Sequence, residues 1–74
     1  MDKTYIAQIA SCIQARIAWH EKAIAIQTGE APHENGFDYP TASNSPYDLT
    51  AISEWRGAVR ELKNTLHMLQ HALK

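Results

Sequence analysis

Arg16 and His20 are the two residues whose types and spacing are most suggestive of chemistry. They lie four residues apart, near the centre of the apolar face of a predicted helix. Because an unpaired guanidinium is costly to bury, Arg16 is expected to find a partner there. One interpretation is a polar pair that fixes the register between helices or chains, with Asp48, Glu54 or Glu61 as the carboxylate. The alternative is an anion-binding notch in which Arg16 and His20 are both donors.

A row of positive or titratable side chains follows the predicted second helix within an arc of about 80°. Its members are Arg56, Arg60, Lys63, His67, His71 and Lys74. Such a row can follow a phosphate backbone or an acidic protein surface, and it is also the usual solvated face of a coiled-coil helix. The formal net charge of -1 weakens the case for nucleic acid. Nucleic-acid or nucleotide binding is therefore the alternative hypothesis, and its candidate anion-binding residues are Arg16, His20, Arg56, Arg60 and Lys63.

The sequence gives little support to a metal site or to catalysis. His67 and His71 have the i, i+4 spacing that can hold a metal on a helix, but no cysteine or carboxylate stands at helical spacing to complete a tetrahedral set. There is no Gly-rich phosphate loop, nucleophile elbow or zincin motif. Cys12 is predicted to be a small core residue. We expect no metal, no cofactor and no enzymatic activity; a dimeric enzyme with an Arg16, His20 and Glu pocket is a further alternative.

The length of 74 residues allows one small domain, of which 45% is hydrophobic and 20% charged. A chain this short usually needs disulfides, a metal or a partner chain to be stable. The single cysteine excludes an internal disulfide and fits a reducing compartment. There is no apolar run of about 20 residues and no secretion signal at the start. We therefore expect a cytoplasmic protein with no membrane contact.

Two helices are predicted, at about residues 4–27 and 46–73, within a single all-α hairpin domain. The second helix is expected to begin with Ser45 as the cap and Pro46 as its first residue, followed by Asp48. Its apolar residues alternate at spacings of three and four, which is the heptad seam of a helix that packs lengthwise on another. The seam consists of Ile52, Trp55, Val59, Leu62, Leu66, Leu69 and Leu73, beside a line of small residues at Ala51, Ala58, Thr65 and Ala72.

The apolar face of the first helix is wider than one antiparallel helix can cover. It spans about half the circumference, and its members are Tyr5, Ile6, Ile9, Cys12, Ile13, Ile17, Trp19, Ile24 and Ile26. Exposed isoleucine and tryptophan surface favours association, at about 25 cal/mol per Å² buried. The sequence therefore predicts a homodimer in which two hairpins form a four-helix bundle.

The connecting segment at about residues 28–44 is longer than the roughly 2–8 residues that usually join packed helices. It carries Glu30, Glu34 and Asp38 with no lysine or arginine, and it also contains aromatic residues. Aromatic residues with acidic neighbours are typical of an interface hot spot. The predicted partner-binding residues are Trp19, Glu34, Phe37, Asp38 and Tyr39. The other interpretation is that Phe37 and Tyr39 fold back and close the end of the bundle.

In size and predicted architecture the chain resembles the compact accessory proteins that phages and mobile elements encode to block host machinery. That resemblance implies inhibition of another protein by direct binding. The leading hypothesis is therefore a small non-enzymatic module that dimerises and binds an unidentified protein.

Overall fold

The computed structural model describes residues 2–41 and 47–73, which contain two helices and no strand. These are α1, Lys3–Thr28, and α2, Leu49–Ala72. The helices are antiparallel: the backbone N–H of Asp48, at the start of α2, donates to Gln27 Oε1 near the end of α1, at 3.3 Å. Further along, Lys63 on α2 lies beside Glu21 on α1. The prediction of an all-α helical hairpin is confirmed.

Both ends of α1 are fixed by local hydrogen bonds. At the start, Asp2 accepts from the backbone N–H of Thr4 at 3.0 Å, which satisfies one of the free amides of the first turn. At the end, Gly29 takes a left-handed conformation with φ of 84°. Its N–H donates to the carbonyl of Ile26 at 3.2 Å, and Ala31 N–H donates to that of Ala25 at 3.0 Å. A glycine is favoured there because left-handed backbone is strained in other residues.

The second helix begins at Leu49, three residues later than the sequence suggested. Tyr47 has a φ of 57°, which is incompatible with a right-handed helix. The N-cap is Asp48, whose Oδ1 accepts from the N–H of Ala51 at 3.1 Å. The predicted cap and first residue, Ser45 and Pro46, lie outside the described residues.

The core runs along the whole hairpin, from Ile6 and Ala10 at the free end to the most deeply buried residues, Ala23 and Trp55, beside the connecting loop. In the seam of α2 the first three residues, Ile52, Trp55 and Val59, are buried, whereas the four leucines that follow are half-buried. On α1 the buried apolar residues are Ile6, Ala10, Ile17, Ala23 and Ile26. The wide apolar face is therefore only partly covered. In particular, Cys12 is exposed, so its predicted place in the core is wrong.

The molecule is elongated, with principal extents of 43 × 21 × 19 Å. Its radius of gyration is 14.3 Å, against about 11 Å for a compact domain of this length. Within the described part of the chain, neither helix combines the length and the apolar character that a membrane span requires.

Candidate functional site

The described part of the connecting loop, residues 29–41, folds back against the two helices. The ring of Tyr39 stacks on that of Trp55, with centroids 5.6 Å apart and planes within 3° of parallel. Phe37 meets Tyr39 edge to face at 4.9 Å. Both loop aromatics pack against the buried cluster of Ala23, Ala51 and Trp55. The end of the hairpin is therefore closed by the loop, as one of the two sequence-based interpretations expected.

Two tryptophan side chains hold the loop in this position by hydrogen bonds. Trp19 Nε1 donates to the backbone carbonyl of Asp38 at 2.6 Å. Trp55 Nε1 donates to Thr41 Oγ1 at 3.0 Å. One donor comes from each helix, so the loop is attached on both sides of the groove between them. Buried indole N–H groups normally require such an acceptor.

Lys22 connects the acidic part of the loop to α1. Its Nζ lies 2.7 Å from Glu34 Oε2 and 5.5 Å from the centre of the Phe37 ring. The side chains of Lys22 and Glu34 are both about half exposed, so the ion pair is largely screened by water. Glu30 and Asp38 are exposed as well. The loop thus presents carboxylates outward from a backbone that its aromatic residues hold in place.

The five predicted partner-binding residues are brought together at this end of the molecule, in two different roles. Glu34 and Asp38 are exposed. Trp19, Phe37 and Tyr39 are half-buried and make contacts within the chain. Leu49, which was not among the predicted residues, is 77% exposed, and Tyr47, two residues before it, is exposed as well. The position of Leu49 off the α2 seam was the signal that could have indicated its exposure.

The side chains of Arg16 and His20 differ in exposure and do not form a common site. Arg16 is exposed, so the cost of burying its guanidinium, which motivated the search for a partner, does not arise. His20 is 8% exposed; its Nδ1 donates to the backbone carbonyl of Arg16 at 2.7 Å, and its ring meets Trp19 edge to face at 5.6 Å. The two residues therefore share a backbone hydrogen bond rather than an anion site lined by both side chains.

The described members of the basic row on α2 are exposed but have acidic neighbours; Lys74 lies outside the described residues. Lys63 Nζ lies 3.6 Å from Glu21 Oε2. Arg56 lines a cleft of about 350 Å³ whose other walls include Glu21 and Glu30, over an apolar floor formed by Ile24, Ala25 and Val59. Arg60, His67 and His71 are exposed. Carboxylates beside the basic groups reduce the attraction of this surface for phosphates. In the described part of the chain no three His, Cys, Asp or Glu side chains cluster in a way that could hold a metal.

A second surface is defined by two lines of residues with seven-residue spacing. On α1 the line runs through Tyr5, Cys12, Trp19 and Ile26, and on α2 through Ala51, Ala58, Thr65 and Ala72. In both lines the residue nearest the loop is buried and exposure increases away from it, to 57% at Tyr5. Because residues seven apart lie on nearly the same side of a helix, both lines belong to the face that the loop covers at one end.

We call the uncovered part of this surface the open face. It consists of Tyr5, Ile9 and Cys12 on α1 and Ala58, Leu62, Thr65, Leu69 and Ala72 on α2. None of these side chains carries a full charge, although the exposed Arg16, one turn after Cys12, lies on the same side of α1. The α2 residues are small at every seventh position. Small residues allow another helix to approach closely.

Comparisons of the chain with models of known protein families, with curated proteins and with solved structures give no match.

Proposed function

We propose that the protein is a non-enzymatic interaction module whose hairpins pair through the open face into a four-helix homodimer, and that the dimer binds and modulates another protein. The observation that supports the proposal is the open face itself, a surface across both helices that continues the core without a covering layer and has Arg16 as the one charged side chain on its α1 side. Exposed apolar surface of this extent is typical of an interface.

The exposed area of the chain is consistent with such pairing. The chain exposes 5383 Å², whereas a compact monomer of this size exposes about 4,600 Å². The difference, about 800 Å², is close to the area that each partner contributes to a stable interface. Burial of apolar surface contributes about 25 cal/mol per Å². Burial of the apolar share of this area would therefore offset the loss of translational and rotational freedom on association.

The loop supplies the surface for a different protein. Residues 37–41 of the loop are held by two indole hydrogen bonds, one to the Asp38 carbonyl and one to the Thr41 hydroxyl, and by the stack of Tyr39 on Trp55. Binding through this part of the loop would therefore cost little conformational entropy. It presents the carboxylates of Glu30, Glu34 and Asp38, and the half-buried ring of Phe37 lies beside the Lys22–Glu34 ion pair. An acidic surface with adjacent apolar groups fits a basic partner protein better than a nucleic acid, whose phosphates it would repel.

Dimerisation is tested by light scattering coupled to size-exclusion chromatography on matched variants. Thr65→Glu places a charge in the open face at a position exposed in the single hairpin, so it should leave folding intact and convert the dimer into a monomer. Asn64→Glu introduces the same charge at the neighbouring exposed residue outside the open face, and it should remain dimeric. A wild-type chain that is monomeric at all concentrations would contradict the proposed dimer.

Binding of another protein is tested separately, by cross-linking capture from a lysate with two charge-matched double variants. Glu30→Gln with Asp38→Asn removes two loop carboxylates, and Glu54→Gln with Glu61→Gln removes two from α2. All four are exposed, so both variants should fold. We expect the loop variant to lose specific capture and the α2 variant to retain it. Equal capture by the two variants would exclude the loop as the binding surface.

A further inference from the structure

The loop restricts how a second hairpin can lie on the open face. It contacts Trp19 and Ala23 on α1, and Ala51 and Trp55 on α2, on the side of the hairpin that carries the open face. It therefore forms a third layer over the end of the hairpin near residues 19–28 and 49–55. A partner helix can occupy the remaining length of this side, but not the part under the loop.

Two arrangements bring the open faces of two copies together around a two-fold axis. In the parallel arrangement the loops lie at the same end, and α1 of one copy rests on α2 of the other. Both loops would then occupy the same gap between the hairpins and hold the open faces apart. In the antiparallel arrangement the loops lie at opposite ends, and each loop lies beyond the free end of the partner hairpin.

We propose that two copies pair in the antiparallel arrangement, with α1 on the partner's α1 and α2 on the partner's α2. This inference rests on the dimer proposed above and specifies its geometry. The docked loops select the direction of pairing by shape, because only this arrangement brings the open faces into contact without overlap of the loops. Close packing at the centre of an interface requires such a fit.

Charge alone would favour the parallel arrangement. It would place Arg16 of one copy near Glu61 of the other, since both are exposed towards the side of the open face. Ion pairs between exposed side chains contribute little, whereas contact between apolar faces supplies most of the free energy of association. The steric effect of the loops therefore outweighs the charge pair.

The position of the loop also sets the register. The part of α1 outside the loop runs from residue 3 to residue 18. A two-fold axis at the middle of this stretch lies between residues 10 and 11. Tyr5 then lies opposite the partner's Arg16, which gives the exposed guanidinium an aromatic ring to stack on. Cys12 comes to lie close to the axis, offset from the partner's Cys12 by about 4.5 Å along the helix.

Thiol cross-linking with a short bismaleimide tests this geometry on the unmodified chain. In the antiparallel dimer Cys12 of the two copies lie on adjoining helices and face each other, so we expect nearly complete covalent dimer within minutes. In the parallel arrangement they lie on diagonally opposed helices and should react only slowly. The control is Cys12→Ser with Ser11→Cys, which moves the thiol to an exposed position of the same turn outside the open face. It should cross-link at least tenfold more slowly.

The outcomes separate the inference from the proposal on which it depends. A chain that light scattering shows to be dimeric, but whose Cys12 cross-links no faster than the Ser11→Cys control, would overturn the antiparallel geometry and leave the dimer intact. A chain that is monomeric at all concentrations would overturn both. In a second measurement, chains carrying Tyr5→Cys and chains carrying Arg16→Cys, each with Cys12→Ser, are mixed. With equal amounts of the two variants, the predicted register gives heterodimeric product well above the twofold excess over either homodimer that random pairing produces, and a ratio at or below twofold would overturn the register.

Discussion

The two ends of the hairpin share the same seven-residue repeats but differ in what covers them. At the loop end, Trp55 is 1% exposed under the ring of Tyr39, and Ala51 and Ala23 are buried beside it. At the open end the equivalent positions are exposed, and the seam leucines are half-buried. Each helix therefore carries one continuous apolar side, and the loop covers only part of it.

This difference shows that the loop of a short chain can cover the apolar side of its helices at one end and leave it exposed at the other. The two helices are 26 and 24 residues long, and the loop is too short to cover the apolar face along their whole length. At the loop end, stability comes from contacts within the chain. At the open end Ile6 and Ala10 are also buried within the chain, and the proposed dimer would add burial there that depends on protein concentration. Matched substitutions at the two ends should reveal this contrast.

The largest contrast is expected between Trp55→Ala and Leu69→Ala. Trp55 is the centre of the loop-end core, so its truncation should reduce the free energy of unfolding by about 3–5 kcal/mol. That is most of the stability of a domain this small. Leu69 is half-buried in the seam at the open end, and its truncation should cost about 1–2 kcal/mol in dilute protein. Urea unfolding followed by far-UV circular dichroism measures both. Equal losses would refute the division into two ends.

A similar comparison applies to two tyrosines. Tyr39→Ala removes the ring that stacks on Trp55 and supports Phe37, and it should cost about 2 kcal/mol because the side chain is half-buried. Tyr5→Ala removes a ring that is 57% exposed, and in dilute protein its effect should stay within about 0.5 kcal/mol. At high concentration Tyr5→Ala should weaken dimerisation. A large concentration-independent loss from Tyr5→Ala would contradict this assignment.

Two glycines offer an internal comparison of opposite sign. Gly29 ends α1 with a φ of 84°, and a Cβ there would meet only the Tyr47 ring at ordinary contact distance. Gly29→Ala should therefore destabilise by about 1 kcal/mol through backbone strain alone. Gly57 lies within α2 with open space around its Cα, so Gly57→Ala should stabilise by about 0.5–1 kcal/mol. The melting temperatures of the two variants should shift in opposite directions. A shift of the same sign would contradict the backbone argument.

The smallest contrast concerns two lysines. Lys22 contacts Glu34 and the Phe37 ring, whereas Lys63 lies beside Glu21 at 3.6 Å. Each of these ion pairs is about half exposed, so Lys22→Gln should cost about 0.5 kcal/mol and Lys63→Gln about 0.2 kcal/mol. Both effects should decrease as salt is added. A larger loss for Lys63→Gln would show that Lys22 does not secure the loop.

Much of the fold could be predicted from local sequence signals. The alternation of three and four in the α2 seam requires a helix that packs lengthwise on another, and a chain of this length offers only one other such segment. The excess width of the apolar face on α1 was also visible in the sequence. The number of apolar residues on one side of a helix, however, does not show which of them a loop will cover.

The wrong predictions of buried positions for Arg16 and Cys12 have the same origin, because helical spacing does not show how far the loop extends over the helices. Arg16 and Cys12 lie on the apolar side by helical spacing, yet they are exposed because the loop ends before it reaches them. The start of α2 depends on competition between caps, and Asp48 caps the helix while Tyr47 has left-handed backbone. The sequence predicts two possible roles for Phe37 and Tyr39, because aromatic residues in a loop suit both an interface and a core.

The placement of Trp19 and Trp55 has a spectroscopic consequence. Both indoles of the protein are at the loop end, one from each helix, and both donate to loop oxygens. Intrinsic fluorescence therefore reports on the docking of the loop, while circular dichroism reports on both helices along their whole length. Detachment of the loop should shift the emission to longer wavelength and increase quenching by iodide without loss of ellipticity. Tryptophan fluorescence should therefore distinguish the docked from the detached loop without an added label.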